Sequence, residues 1–383
     1  MTAIGQKPGI LLVGISGYGA TYVRAMLDAP EAESLQLVGV VDPNAERCDR
    51  IDELRSRGAE VHPDLKSFYQ QGGAADLAII STPIHLHAEQ TIYCLQQESH
   101  VLCEKPAAAT VEQLRSMALA AEKAGRVLAV GYQWSWTDAI QNLKRAIQAG
   151  EFGRPIRFKS LILWPRPRSY FTRNQWAGRI RVGGSTVNDS PVQNATAHYL
   201  HNCFYLLGDD PLKSALPANI DARTYRANDI ENYDTAFVQT RTVDGTEILY
   251  LCSHTIREQL GPILTYEFED AVLTYDPESG FTARYRNGNL RSYGNPASEN
   301  ANHKTWRTLD AIRGTAPCLC DAEAALPHAI CVEAIQSVRT ETVPVDRARP
   351  TRDGPEGIVY VEGLDKIMVD AYQRWEFPDP DFR

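Results

Sequence analysis

Glu104, Lys105 and Pro106 follow the short apolar run Val101–Cys103, at the point where a buried strand would meet water. A lysine held there could hydrogen-bond a substrate oxygen and stabilise a developing alkoxide. A charged pair at a strand end can equally be solvated decoration. The proline fixes φ and donates no ladder hydrogen bond, so it marks a turn. A second chemical signal is "GISGYGATYV", in which Gly14, Gly17 and Gly19 follow an apolar run and open a helical stretch. Glycines let a backbone approach a pyrophosphate closely, and a helix N-terminus offers N–H groups and positive dipole. Ser16 stands where the fingerprint G-x-G-x-x-G has its second glycine, and is small enough for the same approach. Asp42 ends the next apolar run, twenty-three residues after Gly19. A carboxylate there can accept from both ribose hydroxyls and would repel a 2′-phosphate, which favours NAD over NADP. The same Asp suits a cap on "DPNAER", with Pro43 in the first helical position. Arg47 is the nearby group that a 2′-phosphate would use.

Elements that could position these groups alternate along the first third. Apolar strands read at 9–14, 35–42, 76–82, 100–104 and 126–132. Between them lie helical stretches, including "AERCDRIDELRSRG" and one opened by the capping box T-V-E-Q at Thr110. This pattern predicts an α/β fold: a doubly wound parallel Rossmann sheet over 1–132. Lys105 then sits at a strand end, where open parallel sheets bind ligands. From 133 to 383 the texture changes. A helix over about 137–149 precedes longer strands of period-two alternation, with hairpin turns at Asp244-Gly245 and Asn287-Gly288. Helices near 191–207, 303–313 and 321–339 interrupt them. This predicts an α+β domain with a large, mostly antiparallel open sheet and helices on one face.

Composition narrows the partners. The 383 residues carry a formal net charge of -9, which argues against nucleic acid or an anionic membrane. A local basic cluster, Arg166, Arg168, Arg173, Arg179 and Arg181, is interleaved with Trp164, Tyr170, Phe171 and Trp176. In an acidic chain that set favours a small polar ligand over bases. No apolar stretch is long enough to span a bilayer, and "MTAIGQKPGILLVG" has no secretory pattern. The eight cysteines are scattered without a C-x-x-C pair. Reduced thiols in a cytoplasmic protein are the expectation, without a structural metal.

Five motifs in order resemble the Gfo/Idh/MocA family, named for glucose-fructose oxidoreductase, inositol dehydrogenase and a rhizopine catabolism protein. They are the glycine loop, "STPIHLHAE" (81–89), "HVLCEKPAA", "AAEKAGRVLAVGYQW" with "LKRAIQAGEFGRPI", and "GGSTVNDSPVQNATAHYLHNCFYLLG" (183–208). The resemblance implies NAD-dependent hydride transfer on a secondary hydroxyl of a sugar, glycoside or cyclitol. It places Lys105 beside the nicotinamide, commonly with a cis bond between it and Pro106, and makes His198 the base. Gly14, Ser16, Gly17, Tyr18, Gly19, Asp42, Thr82, Pro83, His87, Glu104, Lys105 and Gln133 would hold the cofactor. Asn194 stands where the family often has Asp, four residues before the histidine, and Asp189 is the carboxylate that could replace it. His201 stands where a second Asp is usual; no third ligand makes a metal site of His198 and His201. Tyr132, Trp134, Arg168, Tyr170, Trp176, Asn188 and His201 would line the substrate, since aromatic faces with polar readers suit carbohydrates. The family also implies a homodimer or homotetramer built through the second sheet, whose apolar strands need cover on both faces. Two other readings fit the same motifs: redox-neutral glycoside cleavage with bound NAD, and a non-catalytic dinucleotide sensor.

Overall fold

The computed structural model describes residues 7–344 and 346–377. The chain divides into two compact units, Met1–Trp136 with Ala301–Ala325, and Thr137–Asn300 with Leu326–Arg383.

The first unit holds β1 (Gly9–Val13), β2 (Gln36–Val41), β3 (Glu60–His62), β4 (Leu77–Ile80), β5 (His100–Cys103) and β6 (Leu128–Val130). They form one parallel sheet in the order β3-β2-β1-β4-β5-β6. β1 and β4 are buried along their whole length, as expected of strands covered on both faces. Strand order reverses between β1 and β4, and at such a switch point the carboxyl ends open a ligand crevice. The helices α1 (Gly19–Asp28), α2 (Ile51–Ser56), α3 (Leu65–Gln70), α4 (Ile84–Gln96) and α5 (Val111–Ala124) connect the strands. Thr110 caps α5 by accepting from the Gln113 N–H at 3.2 Å, and Gly125 ends it at φ 60°. The single helix expected after Asp42 is instead a short turn, Ala45–Arg47, followed by α2. The break falls at Cys48, whose extended backbone (φ −83°, ψ 118°) ends the turn before α2 begins. A second difference concerns the boundary expected at 132/133. The chain returns to the first unit at 301–325, bringing the helix His303–Ile312 with it.

In the second unit α6 (Asp138–Gln148) precedes β7 (Pro155–Leu163). Then come α7 (Arg168–Thr172), the hairpin β8 (Arg181–Val182) and β9 (Ser185–Thr186), and α8 (Ala197–Leu206). The strands β10 (Pro217–Arg226), β11 (Thr235–Thr242), β12 (Glu247–Ser253), β13 (Leu260–Phe268), β14 (Ala271–Asp276), β15 (Gly280–Tyr285), β16 (Leu290–Gly294) and β17 (Glu341–Thr342) complete the sheet. Its order is β16-β15-β14-β13-β7-β12-β11-β10-β17. The pairs β7–β12 and β10–β17 are parallel and the rest antiparallel.

The central strands of this sheet carry cover on both faces, one of them from a helix that the sequence reading did not count. On one face Ser160, Tyr250 and Tyr266 meet Cys203, Thr196 and Asn202 in and beside α8. On the other, Leu161, Leu163, Phe237, Leu249 and Leu251 pack with Leu364, Met368 and Tyr372 of the C-terminal helix Leu364–Arg374. Sequence periodicity could not say which sheet that last helix would cover.

Candidate active site

The glycine loop is held by steric necessity and by Asp42. Gly14 has φ 80°, and a Cβ there would lie 2.9 Å from Thr82 Cγ2. A Cβ on Gly19 would lie 2.3 Å from the Gly14 carbonyl oxygen. A larger residue at Gly14 would push the loop off the end of β4, and one at Gly19 would push α1 off the loop. Gly17, at φ 57°, faces open space, and Ser16, Gly17 and Tyr18 form an exposed tip. Asp42 Oδ2 accepts the Ile15 N–H at 3.0 Å while Oδ1 accepts from Asn44, so one carboxylate braces the loop and caps the turn. Each oxygen keeps a lone pair for a further donor. The exposed tip at the mouth of a helix, with no Cβ at Gly17, fits a pyrophosphate.

The next strand end is stapled to this loop. Ser81 donates to the Gly14 carbonyl at 2.7 Å. Thr82 Oγ1 bonds Gln90, and Pro83 begins α4. His87 is buried, with Nε2 2.7 Å from the Thr82 carbonyl and Nδ1 2.8 Å from the Pro106 carbonyl. Both partners are acceptors, so a neutral ring donates to only one at a time. Burial pushes its pKa down, against the pull of those carbonyls. His87 thus ties the Thr-Pro turn to the Glu-Lys-Pro turn.

At that turn the Lys105–Pro106 bond is cis. Glu104 is 5% exposed, and a Cβ on Gly131 would stand 2.9 Å from its Oε1, so the carboxylate fills space that only glycine leaves. Oε2 accepts the Lys105 N–H at 3.1 Å, and Oε1 accepts the Tyr22 hydroxyl at 2.5 Å. Lys304, fully buried on the returning helix, forms an ion pair with the same Oε1. It also donates to Tyr18 Oη at 3.0 Å, and Tyr18 donates to Gln133 Oε1 at 3.1 Å. Burial opposes the Lys304 ammonium, but Glu104 and Tyr18 outweigh it and raise its pKa. Burial first and Glu104 second push the Tyr22 phenol well up. Expected cofactor contacts from three separate stretches, Tyr18, Glu104 with Lys105, and Gln133, therefore share one network. Its central cation, Lys304, and Tyr22 were missed. "NHKTWRTLDAI" reads as an amphipathic helix with a surface lysine, and nothing in its spacing points to a carboxylate 200 residues upstream.

In the second unit, His198 lies half-buried on the first turn of α8. The expected helix over 191–207 is split: Pro191–Ala195 form a wide turn in which the Thr196 N–H reaches the Pro191 carbonyl at 2.8 Å. Wide turns of this kind are frequent at functional sites. Ser190 caps it, and Tyr250 holds Thr196 through both its carbonyl and its hydroxyl at 2.7 Å. Asp189 is 3% exposed; its Oδ2 accepts the Gly178 N–H at 2.7 Å and its Oδ1 accepts the Asn194 amide at 2.8 Å. The two candidates for the carboxylate role thus form one pair. Asn188, at φ 51°, aims the chain into this segment. His201 is buried against the Tyr205 ring, centroids 5.6 Å apart. Burial, then His328 and Lys144, push its pKa well down. Tyr132, Trp134 and Asn188 are likewise buried, whereas Tyr170 and Trp176 are half-buried and Arg168 is exposed. Among the described residues no three His, Cys, Asp or Glu side chains form a metal-ion group, and no helix is long and apolar enough to cross a membrane.

A glycine loop at a switch point, followed by an acid at the next strand end, defines a dinucleotide-binding domain. Residues 9–132 match the family described as oxidoreductase family, NAD-binding Rossmann fold, and this domain belongs to the Gfo/Idh/MocA oxidoreductases. The chain is similar to a 1,5-anhydro-D-fructose reductase of Ensifer adhaerens, 33% identical over 36% of this chain and 40% of the relative. It is 25% identical to the scyllo-inositol 2-dehydrogenase (NADP(+)) IolW of Bacillus subtilis, over 60% of each chain. The alignments thus span about half the length of these curated relatives. The crystal structure of the WlbA dehydrogenase from Bordetella pertussis, in complex with NADH and UDP-GlcNAcA, superposes with a TM-score of 0.71 at 24% identity. That match covers 86% of this chain and 96% of that one, and shows the shared fold of both units.

Proposed function

We propose that this chain is an NAD-dependent oxidoreductase that moves a hydride between a secondary hydroxyl of a sugar, glycoside or cyclitol and the nicotinamide. The observation that carries the reading is the network around Glu104, which fixes the backbone of Lys105 and reaches the glycine-loop residue Tyr18. Ser16, Gly17 and Tyr18 would face the pyrophosphate, and Asp42 the adenosine ribose. Thr82, Pro83 and Gln133 border the same crevice. The bound nicotinamide supplies the hydride acceptor. Lys105 hydrogen-bonds the reacting oxygen and stabilises its developing negative charge. His198 accepts the hydroxyl proton. Asn194, held by Asp189, presents its amide one turn before the imidazole and orients ring or substrate. Asp42 supports NAD over NADP, because its carboxylate already braces the loop and repels a 2′-phosphate, while Arg47 is exposed.

The test is a screen of sugars and inositols with each cofactor, read by NADH or NADPH absorbance and by released aglycone. Sustained NADH formation, with NADPH slower, is expected. Aglycone release without net NADH would replace the reading with redox-neutral cleavage. Faster NADPH formation would overturn the role given to Asp42.

A further inference from the structure

The arginines of the second unit fall into two sets. Arg154, Arg157, Arg241, Arg286 and Arg291 each lie within ion-pair distance of a carboxylate. Among the described residues, none of Arg166, Arg168, Arg173, Arg179 and Arg181 does, although the chain carries 48 acids against 39 Lys and Arg. Two of these cations crowd one ring. The Arg173 guanidinium lies 3.7 Å from the Tyr170 centroid and that of Arg166 5.0 Å from it. Arg173 also borders Trp176 at 5.2 Å, and Arg166 borders Trp164 at 5.7 Å. The Arg166 Nε is buried and has no hydrogen-bond partner. Arg173 donates to the Tyr170 carbonyl and Arg166 bonds the Tyr170 hydroxyl, but the ring faces do not remove the repulsion between the two guanidiniums or satisfy their other N–H groups.

The acids nearby do not answer this charge. Asp189 stands close enough to act on the Tyr170 phenol, but its oxygens are engaged by Gly178 and Asn194. His254, whose N–H and carbonyl neighbours are Trp164 and Arg166, is kept neutral, its pKa pushed down to about 3 by burial and by Arg166. The patch also adjoins the segment of the candidate base by two routes. Asp189 bonds Asn194, four residues before His198, and the Trp164 ring meets Tyr199 edge-on at 5.7 Å.

We propose that Arg166 and Arg173, held on Tyr170, receive an oxyanion carried by the substrate, a carboxylate or phosphate group on the sugar or cyclitol. The guanidinium edge matches either group with paired N–H donors. This rests on the oxidoreductase reading for the substrate's sugar part, but not for the anion itself.

The test is calorimetric titration of the NADH-loaded protein with glucose, myo-inositol, glucuronate and glucose 6-phosphate, alongside turnover of the same four with NAD. At least one anionic probe should bind about tenfold more tightly than both neutral ones, as expected for a charged hydrogen bond. Its advantage should shrink with added salt. Whichever anion binds better identifies carboxylate or phosphate as the group received. Arg166→Gln and Arg173→Gln should each remove most of the advantage. Arg173→Lys, which keeps the charge and loses the fork, should remove part of it. Arg154→Gln, at an exposed ion pair with Glu269, should leave it intact. Neutral probes binding as tightly as both anions would overturn the proposal, as would an anion advantage that survives both Gln variants. Anion binding without turnover of any probe would overturn the parent reading alone. Turnover without anion preference would overturn this inference alone.

Discussion

Glu104 in the first unit and Asp234 in the second are both buried carboxylates at strand ends, yet they are compensated in opposite ways. Glu104 has a fully buried lysine on its Oε1. Among the described residues no cation pairs with Asp234; its Oδ2 takes N–H donors from Ala227 at 3.0 Å and from the Asn228 backbone and amide at 2.8 and 2.9 Å. The consequence is chemical. In the first unit, cation and anion cancel within the protein, leaving a rigid support under Lys105. In the second, neutral donors hold Asp189 and Asp234, and a group of arginines is left without carboxylates. One region spends its charge on structure and the other keeps it for a ligand.

The sharpest way to break this division is at His198. If the second unit handles the substrate proton and the first the dinucleotide, His198→Asn should lower turnover by about 10²–10⁴-fold. NAD affinity, measured by fluorescence titration, should stay within a few-fold of wild type, because the residues assigned to the dinucleotide lie elsewhere. Full activity in this variant would remove the base from the mechanism. Unchanged turnover with weakened NAD would reassign the histidine to the cofactor.

Next in size is the ion pair itself. Lys304→Met strands a buried carboxylate, and removing one partner of such a pair costs about 3–5 kcal/mol. Glu104→Gln keeps a carbonyl acceptor for the Lys105 N–H and turns its amide toward the Tyr22 oxygen, so the double variant Glu104→Gln, Lys304→Met should regain part of that stability. Urea unfolding of the four proteins gives the coupling. A coupling near zero would show that Lys304 and Glu104 are buried side by side without depending on each other. The double variant should still bind NAD less tightly, since Tyr18 loses the lysine that anchors its hydroxyl.

These residues also show what was legible in advance. The glycine loop, the Glu-Lys-Pro turn and the parallel sheet were readable because each is local: a few adjacent residues and one periodicity determine them. The hairpin strands of the second unit were readable for the same reason. Lys304 was not, because its burial depends on where the chain returns after eight strands of the second sheet, and helical periodicity carries no information on that route. The interrupted helix after Asp42 failed for a local reason of another kind. Cys48 takes an extended conformation between the Ala45–Arg47 turn and α2, at a point where sequence propensity favoured an unbroken helix. His201 illustrates the limit of aligning by motif. Its position is that of a polar site residue, but its side chain is packed against Tyr205 in the core.

The smallest effect tests the other half of the comparison. Without a cation, burial pushes the Asp234 pKa up to about 6, even though Asn228 and Ala227 donate to it. Among the described residues its other oxygen meets only the Thr235 hydroxyl, at 3.5 Å, so a proton on Oδ1 breaks no strong bond. The folded pKa lies above the ordinary value of 3.8, so the fold prefers the protonated acid. That contribution is complete below about pH 4 and is lost as pH rises through about 6. Asp234→Asn imitates the protonated acid at every pH: its carbonyl can take the three N–H donors, and its amide faces Thr235. The variant should match wild type at the acid end and become more stable than it between about pH 4 and 6. The gap should grow by at most about 3 kcal/mol and then stay flat, following 1.36 kcal/mol per unit of pKa. Urea midpoints for both proteins across that range measure it. A gap that does not change with pH would mean that the neutral donors compensate Asp234 as fully as Lys304 compensates Glu104, and the contrast between the two units would not hold.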